Sequence, residues 1–356
     1  MAGKLIFGVL EIKFCSSVDN EKFTVKIGSF LNKENRLGVD NSYHRGLHYF
    51  VLMTTCTTFL LIIAGALVTS NDAGLSVPDW PLSYGQLMPE MSGGVFYEHS
   101  HRMVAASVGL LTIILNIWLW KIESRSWVCR LGNIALVTVI IQGILGGITV
   151  LFFLPVQVSV LHASLAQLFF CMLITLSLAV SPVYVDLMRP LSCLKEIWDR
   201  KNWEVHLAVF STAAIYCQLI LGAVLRHSGT VDGTKGAVLV TWALWAHISG
   251  AILVTVLVCS TVLVVFKKST SRVVLYLAYL NISLLLLQLF LGVLAYLVRA
   301  GAVYRVQPTM TEVFFVTSHV AVGALLLVVA LILTLKLVME KRLLKSSQSV
   351  LELQTG

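Results

Sequence analysis

Charge is scarce in this sequence. Only 12% of its 356 residues are Asp, Glu, Lys or Arg, against ~25% in an ordinary soluble domain, while 57% are hydrophobic. A typical water-soluble fold is excluded on that ground. Cysteine pattern is lacking too. Seven cysteines occur, but no two form a CxxC pair, so a redox or zinc motif of that kind is absent. Cys56, Cys171, Cys217 and Cys259 fall within apolar runs, and Cys15, Cys129 and Cys193 fall in segments assigned below to the inner side. An outward disulfide is therefore excluded, and the seven read as small apolar residues or free thiols. Missing as well is the charged-then-apolar pattern of a signal peptide. The acids Glu11, Asp19, Glu21, Glu34 and Asp40 argue against a transit peptide.

What the sequence has is long apolar runs. A spanning helix needs ~20 mostly apolar residues, and eight segments qualify: about 50–69, 101–120, 131–153, 156–181, 205–225, 238–266, 273–298 and 313–338. The expectation is an all-α polytopic membrane protein with eight transmembrane helices. The net charge of +8 at first suggests a nucleic-acid partner. Its distribution says otherwise. Of the 26 Lys and Arg residues, 21 fall in the N-terminal tail, alternate connections and the C-terminal tail, four fall on the opposite side, and Arg102 sits at a helix mouth. That alternation is the positive-inside rule, so the charge reports topology and no nucleic-acid partner is expected. Both termini are predicted to be cytoplasmic.

The chain repeats itself. A shift of 146 residues carries His101 onto His247 and QGILG (142–146) onto QLFLG (288–292). A shift of 157 carries AGALV (64–68) onto LGAVL (221–225) and His162 onto His319. Four spans per half is an even number, so the halves share one orientation about an axis along the membrane normal. The predicted organisation is a 1–44 extension, a first four-helix bundle over 45–181, a 182–204 linker, a second bundle over 205–340, and a 341–356 tail. The two bundles are pseudo-symmetric.

Nine histidines are present. His44, His48 and His206 sit at inner helix starts and His227 in an outer loop, as interfacial residues do. His99, two residues before His101, points ~160° around a helix from it. The other four, His101, His162, His247 and His319, occupy spans two, four, six and eight at repeat-equivalent positions. Intramembrane ionisable residues are costly and usually functional, although a single one can be a hydrogen-bonded packing residue. All four lie in the outer half of the membrane, one pair per bundle. Zinc prefers four N/S ligands around one centre, and each bundle offers two imidazoles without thiolates. Bis-imidazole haem ligation fits that donor set best. Gly143, Gly146, Gly147 and Gly292 would let a flat ring approach the helix backbones, or would serve plain helix packing.

The halves differ at one place. Span two opens Glu98-His-Ser-His101-Arg102, where its repeat mate opens Leu244-Trp-Ala-His247-Ile248. Glu98 shares a helix face with His101, so only the first bundle has an acid one turn from a candidate ligand. A surface acid favoured by the helix dipole is the plainer alternative. The other conspicuous stretch is GLSVPDWPLSYG (74–85), a stiff aromatic loop between the first two spans.

The loop, the Glu98-x-x-His101-Arg102 start and the three later intramembrane histidines together resemble the haem A synthase family, over about 45–340. The resemblance implies an enzyme that oxidises a ring methyl of haem O to the formyl group of haem A for cytochrome oxidase, by successive hydroxylation and loss of water. It implies that His247 and His319 are axial iron ligands of a resident haem b. It implies further that His101 and His162 face the substrate haem and that Glu98 is catalytic. Expected partners are haem O, haem A, the lipid bilayer, a haem O synthase and an electron donor or acceptor, with a homo-oligomer as a further expectation. The acidic N-terminus favours a bacterial inner membrane over a mitochondrial one. Many bacterial members carry a cysteine on each side of the loop's centre, where this chain has Val77 and Ser83, so a relay through a loop disulfide cannot apply. The loop is expected to be a rigid lid over the substrate haem. Pro78 and Pro81 would fix its backbone, and Trp80 or Tyr84 would lie against the ring edge. An interfacial aromatic belt is the alternative. Two other classes share the four histidines: a di-haem b-type electron-transfer protein, which does not need Glu98 in one half only, and a haem transporter, in which both sites would exchange.

Overall fold

The apolar runs form helices because a bilayer leaves no other partner for the backbone's donors and acceptors. The computed structural model describes residues 44–182, 202–228, 241–300 and 307–355. Among them are eight long helices: α1 (Arg45–Ser70), α2 (Gly93–Ile122), α3 (Ser126–Leu151), α4 (Val156–Ala179), α5 (Trp203–Ser228), α6 (Thr241–Lys268), α7 (Arg272–Ala300) and α8 (Met310–Thr355). Each is long and apolar enough to cross a membrane. The all-helical, eight-span expectation holds, and the protein is a multi-pass membrane protein. Leu110, Ile252, Leu286 and Phe290 project outward, each about 60% exposed, as side chains do when lipid is the solvent. Thr55, Thr58, Thr112 and Thr138 turn their hydroxyls back onto the carbonyl four residues earlier, which satisfies them inside the helix.

Helix ends run beyond the hydropathy limits. α2 begins at Gly93, whose φ is +54°, and not near residue 101. The polar residues Glu98, His99 and Ser100 lower the local hydropathy but do not break a helix. Glu98 therefore lies inside α2 rather than at its mouth. α5 likewise extends through Arg226 and Ser228, so His227 is in its last turn and not in a loop. α8 continues to Thr355 where a separate tail was expected from residue 341. No Gly or Pro interrupts 324–355, so nothing local ends that helix. The extension over 1–43 and linker residues 183–201 lie outside the described residues.

Within the first half, α1 packs on α2, α2 on α3, α3 on α4, and α4 back on α1; α5 to α8 close the same ring. The halves meet where α1 packs on α8 and α4 on α5, the arrangement a two-fold repeat requires. One apolar core includes Val108, Leu115, Leu119 and Leu173, with Met339 of α8 joining it. A second includes Ile215, Val258, Leu285, Leu327 and Leu333. Ile62, Phe170, Ala324 and Val328 fill the junction. Hydrogen bonds cross it at Thr317–Ser70 (3.1 Å) and from the Tyr216 hydroxyl to the Ser164 carbonyl (3.2 Å). At the terminal end, buried Glu204 pairs with Lys268 at 2.9 Å and Lys341 at 2.5 Å.

Candidate functional site

His101, His162, His247 and His319 lie near the starts of α2, α4, α6 and α8, which places all four at the same end of the molecule as loop 74–85. Each ring sits against a glycine of the preceding helix. A Cβ at Gly65 would lie 3.1 Å from His101 Cε1, one at Gly222 3.1 Å from His247 Cε1, and one at Gly292 3.0 Å from His319 Cε1. At Gly146 the distance to His162 Cε1 would be 3.5 Å. Any side chain at the first three positions would press on the imidazole. One turn before these glycines stand Leu61, Gln142, Gln218 and Gln288. In the second half, His247 and His319 face each other with ring centres 6.3 Å apart and planes at 74°. Among the described residues, no three or more of His, Cys, Asp and Glu gather as a metal cluster would require.

Three of those turn positions carry glutamine. Gln142 Nε2 donates to the His162 carbonyl at 2.9 Å, and Gln218 Nε2 to the His247 carbonyl at 2.7 Å. Gln218 Nε2 also lies 3.1 Å from His247 Nδ1, and Gln288 Nε2 lies 3.4 Å from His319 Nε2. The Gln-x3-Gly repeat thus ties histidine helices to their neighbours. Its glycines at 146 and 292 receive imidazoles, whereas Gly147 receives the Trp80 indole, whose nearest atom would lie 2.8 Å from an added Cβ. Gly143 faces open space.

The loop is built on α2. Glu98 is only 4% exposed. Its Oε1 accepts from Arg102 Nη2 at 2.7 Å and its Oε2 from the Val77 amide at 2.9 Å. The reading of Glu98 as a surface acid is therefore excluded, since a dipole-favoured surface carboxylate would face water. Arg102, which sequence reasoning left as a helix-mouth cation, is the loop's anchor. It donates to the carbonyls of Asp79 (2.7 Å), Leu82 (2.6 Å) and Val77 (3.3 Å). Asp79 in turn accepts from the Tyr84 amide (2.7 Å) and the Gly85 amide (2.8 Å). The Gly85 amide, with that of Tyr84, holds the Asp79 carboxyl below its usual 3.8. Trp80–Pro81 is a cis peptide.

Val77 and Ser83 are both buried. Ser83 Oγ lies 2.8 Å from His99 Nδ1, so His99 serves the loop. The Tyr84 hydroxyl donates to the Ser76 carbonyl at 2.6 Å and is thereby taken up within the loop, whereas Trp80 reaches Gly147 of α3. A further contact escaped the sequence reading. Arg226 bonds the Thr69 carbonyl and pairs with Asp72 at 3.0 Å, a cross-half clamp that no repeat pattern signals.

A family model described as cytochrome oxidase assembly protein, COX15-CtaA, matches residues 48–95 and 90–300. The chain belongs to this family. Among curated relatives of the cytochrome oxidase assembly family, it is similar to the Heme A synthase of Shouchella clausii, 29% identical over 198 residues, which cover 54% of this chain and 63% of the relative. The Heme A synthase of Geobacillus kaustophilus is 27% identical over 189 residues, 52% of this chain and 57% of the relative. That of Bacillus pumilus is 26% identical over 266 residues, 70% of this chain and 85% of the relative. The chain thus spans about six-tenths of the length of the first two relatives.

Proposed function

We propose that the chain is a haem A synthase, oxidising a ring methyl of haem O to the formyl group of haem A. The observation that carries the proposal is an asymmetry on a symmetric frame. Both halves present a histidine pair in glycine notches, but only the first has a buried carboxylate, Glu98, three residues before its first histidine and bonded to the loop above. The equivalent position in the second half is Leu244. The names of the similar proteins point the same way.

The donor set fits haem. Two imidazoles each bonded to one iron at ~2 Å need ring centres about 6 Å apart, and His247 and His319 stand at 6.3 Å. His247 and His319 would hold haem b, which would supply a one-electron carrier. His101 and His162 would hold haem O. Conversion of the methyl to a formyl group is a four-electron oxidation through two hydroxylations and loss of water. Glu98 would act beside that methyl as a base or an electrostatic stabiliser, held in place by Arg102. Trp80 over Gly147 would cover the first pair and exclude water. The same reading puts the protein in a bacterial inner membrane with both termini cytoplasmic, receiving haem O from its synthase and passing electrons to a separate acceptor. A homo-oligomer belongs to the same proposal.

The near-identical notches of His101, His247 and His319 favour a second reading, a di-haem b-type electron-transfer protein. Haem extraction separates the two. Membranes expressing this chain with a haem O source should yield haem A on chromatography, and purified protein should hold a retained haem b beside an exchangeable haem O or A. Two retained b haems with haem O unconverted would overturn the synthase reading.

A further inference from the structure

The four histidine notches are alike except in one side chain. Leu61 stands on α1 where Gln142, Gln218 and Gln288 stand on α3, α5 and α7, each one turn before the notch glycine. The three glutamines reach across to the histidine of the next helix, through its carbonyl at His162 and His247 and beside its ring at His247 and His319. Leu61 instead packs into the first apolar core and brings no hydrogen-bonding side chain to His101. Among the described residues no side chain hydrogen-bonds either imidazole of the first pair; both Nδ1 atoms there are buried without a hydrogen bond, as is His319 Nδ1 in the second pair, so the contrast between the pairs lies in the side-chain amides.

Resting on the synthase reading, we infer that Leu61 makes His101 the releasable axial position. It is the ligand that gives way when substrate enters and product leaves, while the glutamine ties make the second pair a permanent site. The physical reason is local. An amide offers a donor and an acceptor, so it can hold a ring or its helix whichever nitrogen carries the proton. Such outer partners fix ligand orientation, and losing one typically costs ~10–100-fold in metal affinity. A leucine side chain offers neither group. The first pair is also the one beside loop 74–85, whose Trp80 packs on Gly147 next to the Gly146 notch of His162.

The test is haem transfer from the purified full-length protein to excess apomyoglobin, followed by absorbance. Wild-type protein should lose haem in two phases, the fast one from the first pair. Leu61→Gln should slow the fast phase by roughly 3–10-fold, the range one net hydrogen bond supplies, and leave the slow phase unchanged. Gln218→Leu should accelerate the slow phase by a similar factor and leave the fast one alone. An unchanged fast phase in Leu61→Gln with an unaltered Soret band would overturn the inference. If Leu61→Gln does not fold, Gln218→Leu decides, and an unaltered slow phase there overturns it equally. A wild-type protein that holds no haem at His247 and His319 would instead defeat the synthase reading beneath it, which is a different observation.

Discussion

Glu98 and Arg102 lie one turn apart on α2, paired at 2.7 Å, and both direct their remaining hydrogen-bonding capacity to the loop at 74–85. The acid proposed for chemistry and the cover proposed for the site thus share one foundation. Changing either residue should be felt by both, and the predictions turn on separating those effects.

Glu98→Gln keeps an acceptor for the Val77 amide but removes the charge that pairs with Arg102. General acid–base or electrostatic roles contribute ~10²–10⁴-fold, so haem A formation should fall by that order while total haem content persists. Haem O, with some hydroxylated intermediate, should accumulate. Arg102→Lys, which keeps the charge but not the fork that grips three carbonyls, should loosen the loop and lower substrate-haem retention more than it lowers turnover per bound haem. Chromatography of extracted haems reads both. Wild-type haem A from Glu98→Gln would leave the acid as a loop support only.

His247→Ala and His319→Ala should each abolish the low-spin spectrum of the resident haem, because six-coordinate iron needs both imidazoles. Redox difference spectra of purified protein give the measurement. An unchanged low-spin spectrum in either variant would remove that residue from the ligand set.

Gly147→Ala places a methyl 2.8–3.1 Å from the Trp80 indole, which must shift. Like Trp80→Ala made separately, it should weaken retention of the substrate haem and spare the spectrum of the second pair, since the sequence GLSVPDWPLSYG is not repeated between α5 and α6. Equal loss of both haems would mark the loop as a general stability element.

The loop should also respond to acid in a defined sense. Asp79 has its carboxyl held below 3.8 by the Gly85 and Tyr84 amides. A group whose folded value is depressed contributes stability above its unfolded value, and that contribution is lost as pH falls through the folded one. Hydrogen exchange at the Tyr84 and Gly85 amides, corrected for intrinsic rates, should therefore show constant protection from neutral pH to about 4, declining only below 3.8. Asp79→Asn should be less protected at neutral pH, and its difference from wild type should vanish in strong acid. A pH-independent difference would mean that the hydrogen bonds, and not the charge, hold the turn.

The sequence by itself determined the helical membrane class, the number of spans and the positions of the four intramembrane histidines. Composition and the period of the repeat carry those facts, because lipid admits little besides apolar helices and a duplicated bundle preserves spacing. The glycines beside the Gln motifs were visible too, but their task was not. Only packing showed that Gly146 and Gly292 receive imidazoles, that Gly147 receives Trp80, and that Gly65 and Gly222 complete the set. Arg102 read as one more charge near a helix end, since its partners lie 20–25 residues back in the chain. The same holds for Glu98: hydropathy began its helix too late to include it, and burial depended on a loop whose path no periodicity encodes. Helix registers follow from local pattern, whereas contacts between loop and helix, or across the two halves as at Arg226 and Asp72, arise only when distant segments are brought together in three dimensions.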